Sequence, residues 1–123
     1  MELLIVDCEI HPDAVVARAK GEVDSSTANH FVSQLGTALR QATSHAARLL
    51  IIDLQSVTYF GSAGLNAVLD CHRQGIETRT PVRLVADNDL VVRPIEVTNM
   101  DSVLELYPTL SDALHGRHRD KQP

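Results

Sequence analysis

The residues whose types and spacing could support chemistry are few, and most sit in one stretch. Ser62 lies in Phe60-Gly61-Ser62-Ala63-Gly64, a hydroxyl among small residues. A serine nucleophile on a strained strand-to-helix elbow needs G-x-S-x-G, and the residue two before Ser62 is Phe60. A phosphate-cradling loop needs a lysine after its last glycine, and Leu65 follows Gly64. The six histidines are scattered, with no i, i+4 pair to set two ligands on one helical face. No catalytic set, metal site or cofactor is therefore expected. Ser62 keeps two readings, a helix N-cap and a modifiable hydroxyl at an exposed turn. A phosphate there would add about −1.5 to −2 charges. The start of a helix tolerates that charge, whereas an acidic partner would not. Cys8 and Cys71 read as buried thiols acting as small hydrophobes; a redox role is the alternative, since Cys71 lies on the helix that the turn begins. Asp24 and Asp53, both near expected strand ends, are either loop caps or acidic contacts beside the turn.

The elements around this stretch must position it. Leu49, Leu50, Ile51 and Ile52 form an apolar run ended by Asp53, as in a central parallel strand covered on both faces. The aromatic pair Tyr59-Phe60 and the small residues 61–64 then read as a short loop leading into a helix. Its apolar series is Leu65, Val68 and Leu69, with Asn66 and Asp70 on another face. Binding sites of open α/β sheets lie beyond the carboxyl ends of strands. Small residues there would let another molecule approach the backbone, and the first helical N–H groups are unpaired donors.

Upstream, residues 3–9 and 14–19 read as two strands joined through His11-Pro12-Asp13 in a hairpin-type connection. Ser25, Ser26 and Thr27 offer oxygen caps for a helix whose apolar face is Ala28, Phe31, Val32, Leu35, Ala38, Leu39 and Ala42. Downstream, residues 81–86 predict a short strand. Asn88 or Asp89 could cap the next helix, but Pro94 sits far inside it, so a kinked or short helix is expected, in the short form only residues 94–98, with Asn99 ending it in a left-handed turn. Residues 103–107 predict a last strand, and Thr109 caps a final helix with Asp112 at its third position. The order is ββαβαβαβα, an α/β domain of mostly parallel strands with an antiparallel edge from the first hairpin.

At 123 residues the chain fits one domain, and 3% aromatic content leaves an aliphatic core. Residues 1–115 are expected to form it, with 116–123 as a flexible basic tail. Beyond His115, Arg117, Arg119 and Lys121 stand against Asp120, so the net −5 divides into a +2 tail and a −7 body. An acidic body without a basic stripe argues against nucleic acid. The sequence shows neither a secretory signal nor an apolar run near the roughly 20 residues of a membrane span. A cytoplasmic protein without a membrane partner is expected.

Three blocks resemble the bacterial anti-sigma factor antagonists, the small single-domain members of the STAS group. They are Gly21-Glu22-Val23-Asp24 ahead of the amphipathic helix, the run from Asp53 through Val57-Thr58-Tyr59-Phe60-Gly61-Ser62-Ala63-Gly64-Leu65, and the segment from Leu104 to Leu114. The resemblance covers about Leu3 to Leu114, and the middle block is the specific one. It implies a STAS-type α/β fold: a mixed, mostly parallel sheet with helices packed chiefly on one side. It also implies a non-enzymatic role, binding an anti-sigma factor, in some cases a serine kinase, so that a sigma factor is freed. The implied partner-binding residues are Asp24, Ser25, Gly61, Ser62, Ala63, Gly64 and Asn66. A weak homodimer is compatible with it. Such proteins are switched off by phosphorylation of a serine in a D-S-[ST]-G-type turn. Here Gly61 stands in the aspartate position and Ala63 in the acceptor position, so that switch is expected to be absent. A ligand-sensing or scaffold STAS domain in another signalling assembly is the alternative.

Overall fold

Leu50, Ile51 and Ile52 are all fully buried, so β3 must be covered on both faces. The computed structural model of the protein describes residues 3–116 and builds that cover from one five-stranded sheet. The strands are β1 (Leu4–Ile10), β2 (Val15–Val23), β3 (Leu50–Phe60), β4 (Val82–Val85) and β5 (Glu105–Tyr107), lying side by side in chain order. β1 runs antiparallel to β2, and the other neighbours are parallel. This is the expected mixed, mostly parallel sheet.

Between the parallel strands run α1 (Ala28–Thr43), α2 (Ser62–Glu77) and α3 (Asp89–Val97). Because the strands never reverse order, right-handed crossovers place every connecting helix on the same face. There Phe31, Leu35, Val68, Val91 and Ile95 pack over Leu50, Ile52 and Leu54. Only α4 (Leu110–His115), which connects to no further strand, lies on the back. Its Ala113 joins Val16, Ile51, Val85 and Tyr107 in a smaller cluster. Of the expected tail, only Gly116 falls within the described residues, as the left-handed cap of α4; 117–123 lie outside them.

Three expectations are corrected. β3 does not end at Asp53 but continues to Phe60, so residues 54–60 are strand and not loop. The reason is β2, whose partners extend from Val15↔Leu50 to Val23↔Phe60. Two bulges lie along that pairing, and Gly21 beside them has φ +120°, where a Cβ would stand 2.1 Å from the Leu3 carbonyl oxygen. β4, by contrast, pairs only as far as Val85↔Asp53, so β3 outruns it by seven residues.

Second, α3 is not the short form over residues 94–98: it begins at Asp89, after the Asn88 cap that the sequence offered, and passes through Pro94. The Asn88 side chain accepts the Val91 N–H at 3.2 Å, and Val91 and Ile95 are fully buried. The carbonyl that Pro94 leaves without its helical donor belongs to Leu90, whose residue is half exposed, where water can replace the donor. Third, Val103 and Leu104 precede β5 instead of belonging to it. A 3₁₀ turn at Met100–Ser102 occupies the connection, entered through Asn99 at the expected left-handed φ of 61°.

Asp53 is 1% exposed on its side chain and sits within β3, away from any loop. Its Oδ2 accepts from Arg18 Nη1 at 2.7 Å, and its Oδ1 from the Gln55 N–H at 3.0 Å. Arg18 also grips Glu9, donating from Nε and Nη2 at 3.1 Å each. One guanidinium thus ties β1, β2 and β3 across the back of the sheet. The hydrogen bonds from Arg18 and, after them, the one from His11 Nε2 at 3.0 Å hold the Glu9 carboxyl down to about 2. Glu9 is depressed when folded, so its contribution is complete above the ordinary carboxylate range and is lost as pH falls through about 2. It is 40% exposed, so the effect is screened and small. Removing the guanidinium is a larger change, because it leaves the Asp53 charge buried and half-satisfied. Arg18→Met should cost about 2–3 kcal/mol in urea unfolding. Unchanged stability would show that water reaches Asp53.

Candidate functional site

The turn between β3 and α2 is one residue long. Phe60 ends the strand, Gly61 is the N-cap, and Ser62 opens the helix. Ser62 is therefore not the N-cap, because the strand continues far enough to leave that position to Gly61. α2 begins with no side-chain cap and no acidic residue in its first turn. The N–H groups of Ser62, Ala63 and Gly64 lack intrahelical partners, since the first helical bond is Leu65 N–H to Gly61 O at 3.1 Å. The start of α2 is thus an electropositive patch of peptide donors.

Gly61 N–H donates to Val23 O at 3.0 Å, which ties the turn to the end of β2. Asp24 and Ser25, the next residues on that strand's exit, are thereby brought beside Gly61 and Ser62. Asp24 is the loop cap that was one of its two readings. Its Oδ1 accepts from the Ser26 N–H at 2.9 Å, the Ser26 hydroxyl at 2.6 Å and the Thr27 N–H at 3.2 Å. Those hydrogen bonds, led by the Ser26 hydroxyl, hold its carboxyl below the ordinary value. Thr27 does not cap α1 with its side chain; its hydroxyl donates to Glu22 O at 2.9 Å. Ser25, Ser62 and Asn66 are exposed and Ala63 half-buried, with Asn66 one helical turn beyond Ser62.

One expected member, Gly64, separates from this group, and Asp53 is neither a loop cap nor an acidic contact beside the turn. Gly64 is buried: a Cβ there would meet Val23 Cγ1 at 2.7 Å and the Phe60 ring at 2.8 Å. Its smallness lets α2 close onto the strands and does not serve a visitor. Asp53 belongs to the Arg18 tie within the sheet. Sequence reasoning also missed Tyr59, which is 51% exposed beside Gly61 while Phe60 is 4% exposed. The available signal was strand alternation, which sends adjacent aromatics to opposite faces once residues 54–60 are read as strand.

The thiols differ from expectation in one case. Cys71 is buried as anticipated, and burial pushes its thiol up to about 12, so it stays protonated at neutral pH. Cys8 is exposed, because it lies on the edge strand β1, and donates to Gln41 Oε1 at 2.8 Å. Partial burial, with the nearby Glu9 charge, raises its pKa too. A cleft of about 370 Å³ lies off the carboxyl ends of β4 and β5, with Asp87, Asp89, Glu96 and Asp101 among its lining residues. Among the described residues no group of three or more His, Cys, Asp and Glu could hold a metal ion, and no helix is long and apolar enough to cross a membrane.

A mixed sheet with its crossover helices on one face, and a one-residue turn at the carboxyl end of its longest strand, defines a domain that presents a surface. The chain belongs to the STAS domain family, whose model matches residues 6–113. It is 31% identical over 106 residues to the anti-sigma-F factor antagonist RsfB of Mycobacterium tuberculosis, covering 86% of this chain and 83% of that one. The anti-sigma-F factor antagonist RsfA of the same organism is 30% identical over 108 residues, covering 85% and 80%. The crystal structure of an anti-sigma factor antagonist from Mycobacterium paratuberculosis superposes with a TM-score of 0.82 at 32% identity, covering 92% of each chain.

The packing role of Gly64 is directly measurable. Gly64→Ala forces a methyl against Val23 and Phe60 and should destabilise the fold by about 1–3 kcal/mol. A neutral result in urea unfolding would mean that α2 can shift away from the strands.

Proposed function

We propose that the protein is an anti-sigma factor antagonist: it binds an anti-sigma factor in the cytoplasm and thereby frees a sigma factor. It acts as a binding protein, not an enzyme. The docking surface is Asp24, Ser25, Gly61, Ser62, Ala63 and Asn66, with Gly64 beneath it as the residue that seats the helix. The observation that supports this most is the similarity to RsfB over 86% of the chain, a span long enough to include both strand ends that form the turn. The open peptide donors of α2 add a local reason, since they offer hydrogen bonds that the chain itself leaves unused.

Ala63→Glu tests the surface cleanly. A carboxylate in the first turn of α2 interacts favourably with the helix dipole, by about 0.3–1 kcal/mol, so the fold should be unharmed. Against a bound partner the same carboxylate would be desolvated, at a cost of a few kcal/mol if left unpaired. Calorimetry with the anti-sigma factor captured from the source cell and identified by mass spectrometry should show a sharp loss of affinity. Unchanged affinity would move the site elsewhere on the domain.

Regulation departs from the usual pattern. Ala63 has no hydroxyl to phosphorylate, and Ser62 stands one residue earlier, a rotation of about 100° around the helix axis. Phosphoryl transfer depends on in-line positioning, so a kinase built for the later position should not accept Ser62. Incubation with kinase-type anti-sigma factors and ATP should leave the turn peptide unmodified by mass spectrometry. Stoichiometric phosphate on Ser62 would make that serine the switch. For the ligand-sensing alternative, the cleft at Asp87 and Asp89 is a poor nucleotide site, because four carboxylates disfavour a nucleotide's phosphates.

A further inference from the structure

We propose that Tyr59 is the aromatic anchor of the docking surface, and that Gly61 lacks a side chain so that the Tyr59 ring can lie across it. The inference rests on the reading of this turn as the surface that receives the anti-sigma factor.

The argument begins with what Gly61 does not need. Its φ of −94° and ψ of −171° are extended values open to any residue. Its place at the N-cap is one where aspartate, asparagine or serine would accept a helical N–H, so glycine gives up a stabilising cap. What the missing side chain admits is Tyr59. A Cβ on residue 61 would stand 3.1 Å from Tyr59 Cε2, 3.1 Å from its Oη and 3.4 Å from its Cζ. The ring therefore rests on the backbone of the turn itself.

The rest of the ring faces solvent. Tyr59 is 51% exposed, whereas Phe60, its neighbour on the strand, is buried among Val23 and the core of α2. The burial of Phe60 on one face obliges Tyr59 to project on the other. The Tyr59 hydroxyl has no hydrogen-bond partner among the described residues. An exposed aromatic held on one side by backbone has already lost much of its rotamer freedom, so little more is lost when a partner covers it. Tyrosines of this kind are enriched among the residues that dominate binding energy. The open N–H groups of Ser62 and Ala63 lie directly beyond it, so an apolar contact on the ring and hydrogen bonds at the helix start can be made by one partner segment.

The test is calorimetry against the anti-sigma factor captured from the source cell, identified by mass spectrometry and purified, with wild type, Tyr59→Ala, Tyr59→Phe, Gly61→Asp and Ala63→Glu. Tyr59→Ala should weaken binding roughly tenfold or more, and Tyr59→Phe, which keeps the ring, by no more than about threefold. Gly61→Asp gains an N-cap and displaces the ring, so its thermal midpoint should hold or rise while its affinity falls roughly tenfold. That opposition is not expected of a residue with a merely structural role. The chain has no tryptophan and one other tyrosine, the buried Tyr107, so tyrosine fluorescence reports whether Tyr59 is covered on binding. If Ala63→Glu abolishes binding while Tyr59→Ala and Gly61→Asp bind as wild type, the anchor is refuted and the docking surface stands. If wild type does not bind, or Ala63→Glu binds equally well, the reading of the turn fails and the anchor with it.

Discussion

The parallel pairing of β2 with β3 carries both the core and the candidate site of this molecule. It begins at Val15↔Leu50, where both strands are buried on both faces, and ends at Val23↔Phe60, where the chain turns into α2. Partway along, Arg18 and Asp53 face one another on the back of the sheet, and the same guanidinium reaches Glu9 on the edge strand. At the far end the Val23 carbonyl takes the Gly61 N–H. If that pairing were lost, the first turn of α2 and the Asp24 loop would have no reason to be neighbours, since they are thirty-odd residues apart in the chain.

Much of the architecture was legible because its signals are periodic. The α1 stripe is buried from Phe31 to Ala42, except that Val32, expected on it, lies at its edge half-exposed, and the Leu49–Ile52 run has no solvent face to offer. With strands and helices alternating, the handedness of crossovers does the rest. What was not legible depends on tertiary partners. Gln55, Ser56 and Thr58 are exposed and look like loop residues, yet β2 holds them extended. Pro94 argues locally against a helix that Asn88, Val91 and Ile95 nevertheless secure. In both places packing outweighed local preference.

The candidate site was legible in outline for a different reason. Small residues at a strand-to-helix junction mark it whatever the exact boundaries, and Asp24 joins it through the register. The roles within it were not legible from residue type. Gly61 and Gly64 look alike in sequence, but one is bare toward an aromatic ring at the surface and the other toward Val23 and Phe60 inside. Likewise Cys8 and Cys71 are the same side chain, one on an edge strand and the other within the core. A distinction of that kind lives in the packing and becomes visible only with coordinates.

The seven residues by which β3 outruns β4 also leave a bare strand edge, and bare edges recruit other chains. Here the overhang reads Leu54-Gln55-Ser56-Val57-Thr58-Tyr59-Phe60, with polar residues at 55, 56 and 58. Asp53 takes the Gln55 N–H, and the Gln55 side-chain amide reaches over to Pro108 O at 3.3 Å. The polar positions that disguised this segment as a loop thus have a physical use: they keep an exposed edge from templating aggregation. A chain that carries its binding turn past β4 on a strand paired along one side only must make the other side unattractive to copies of itself.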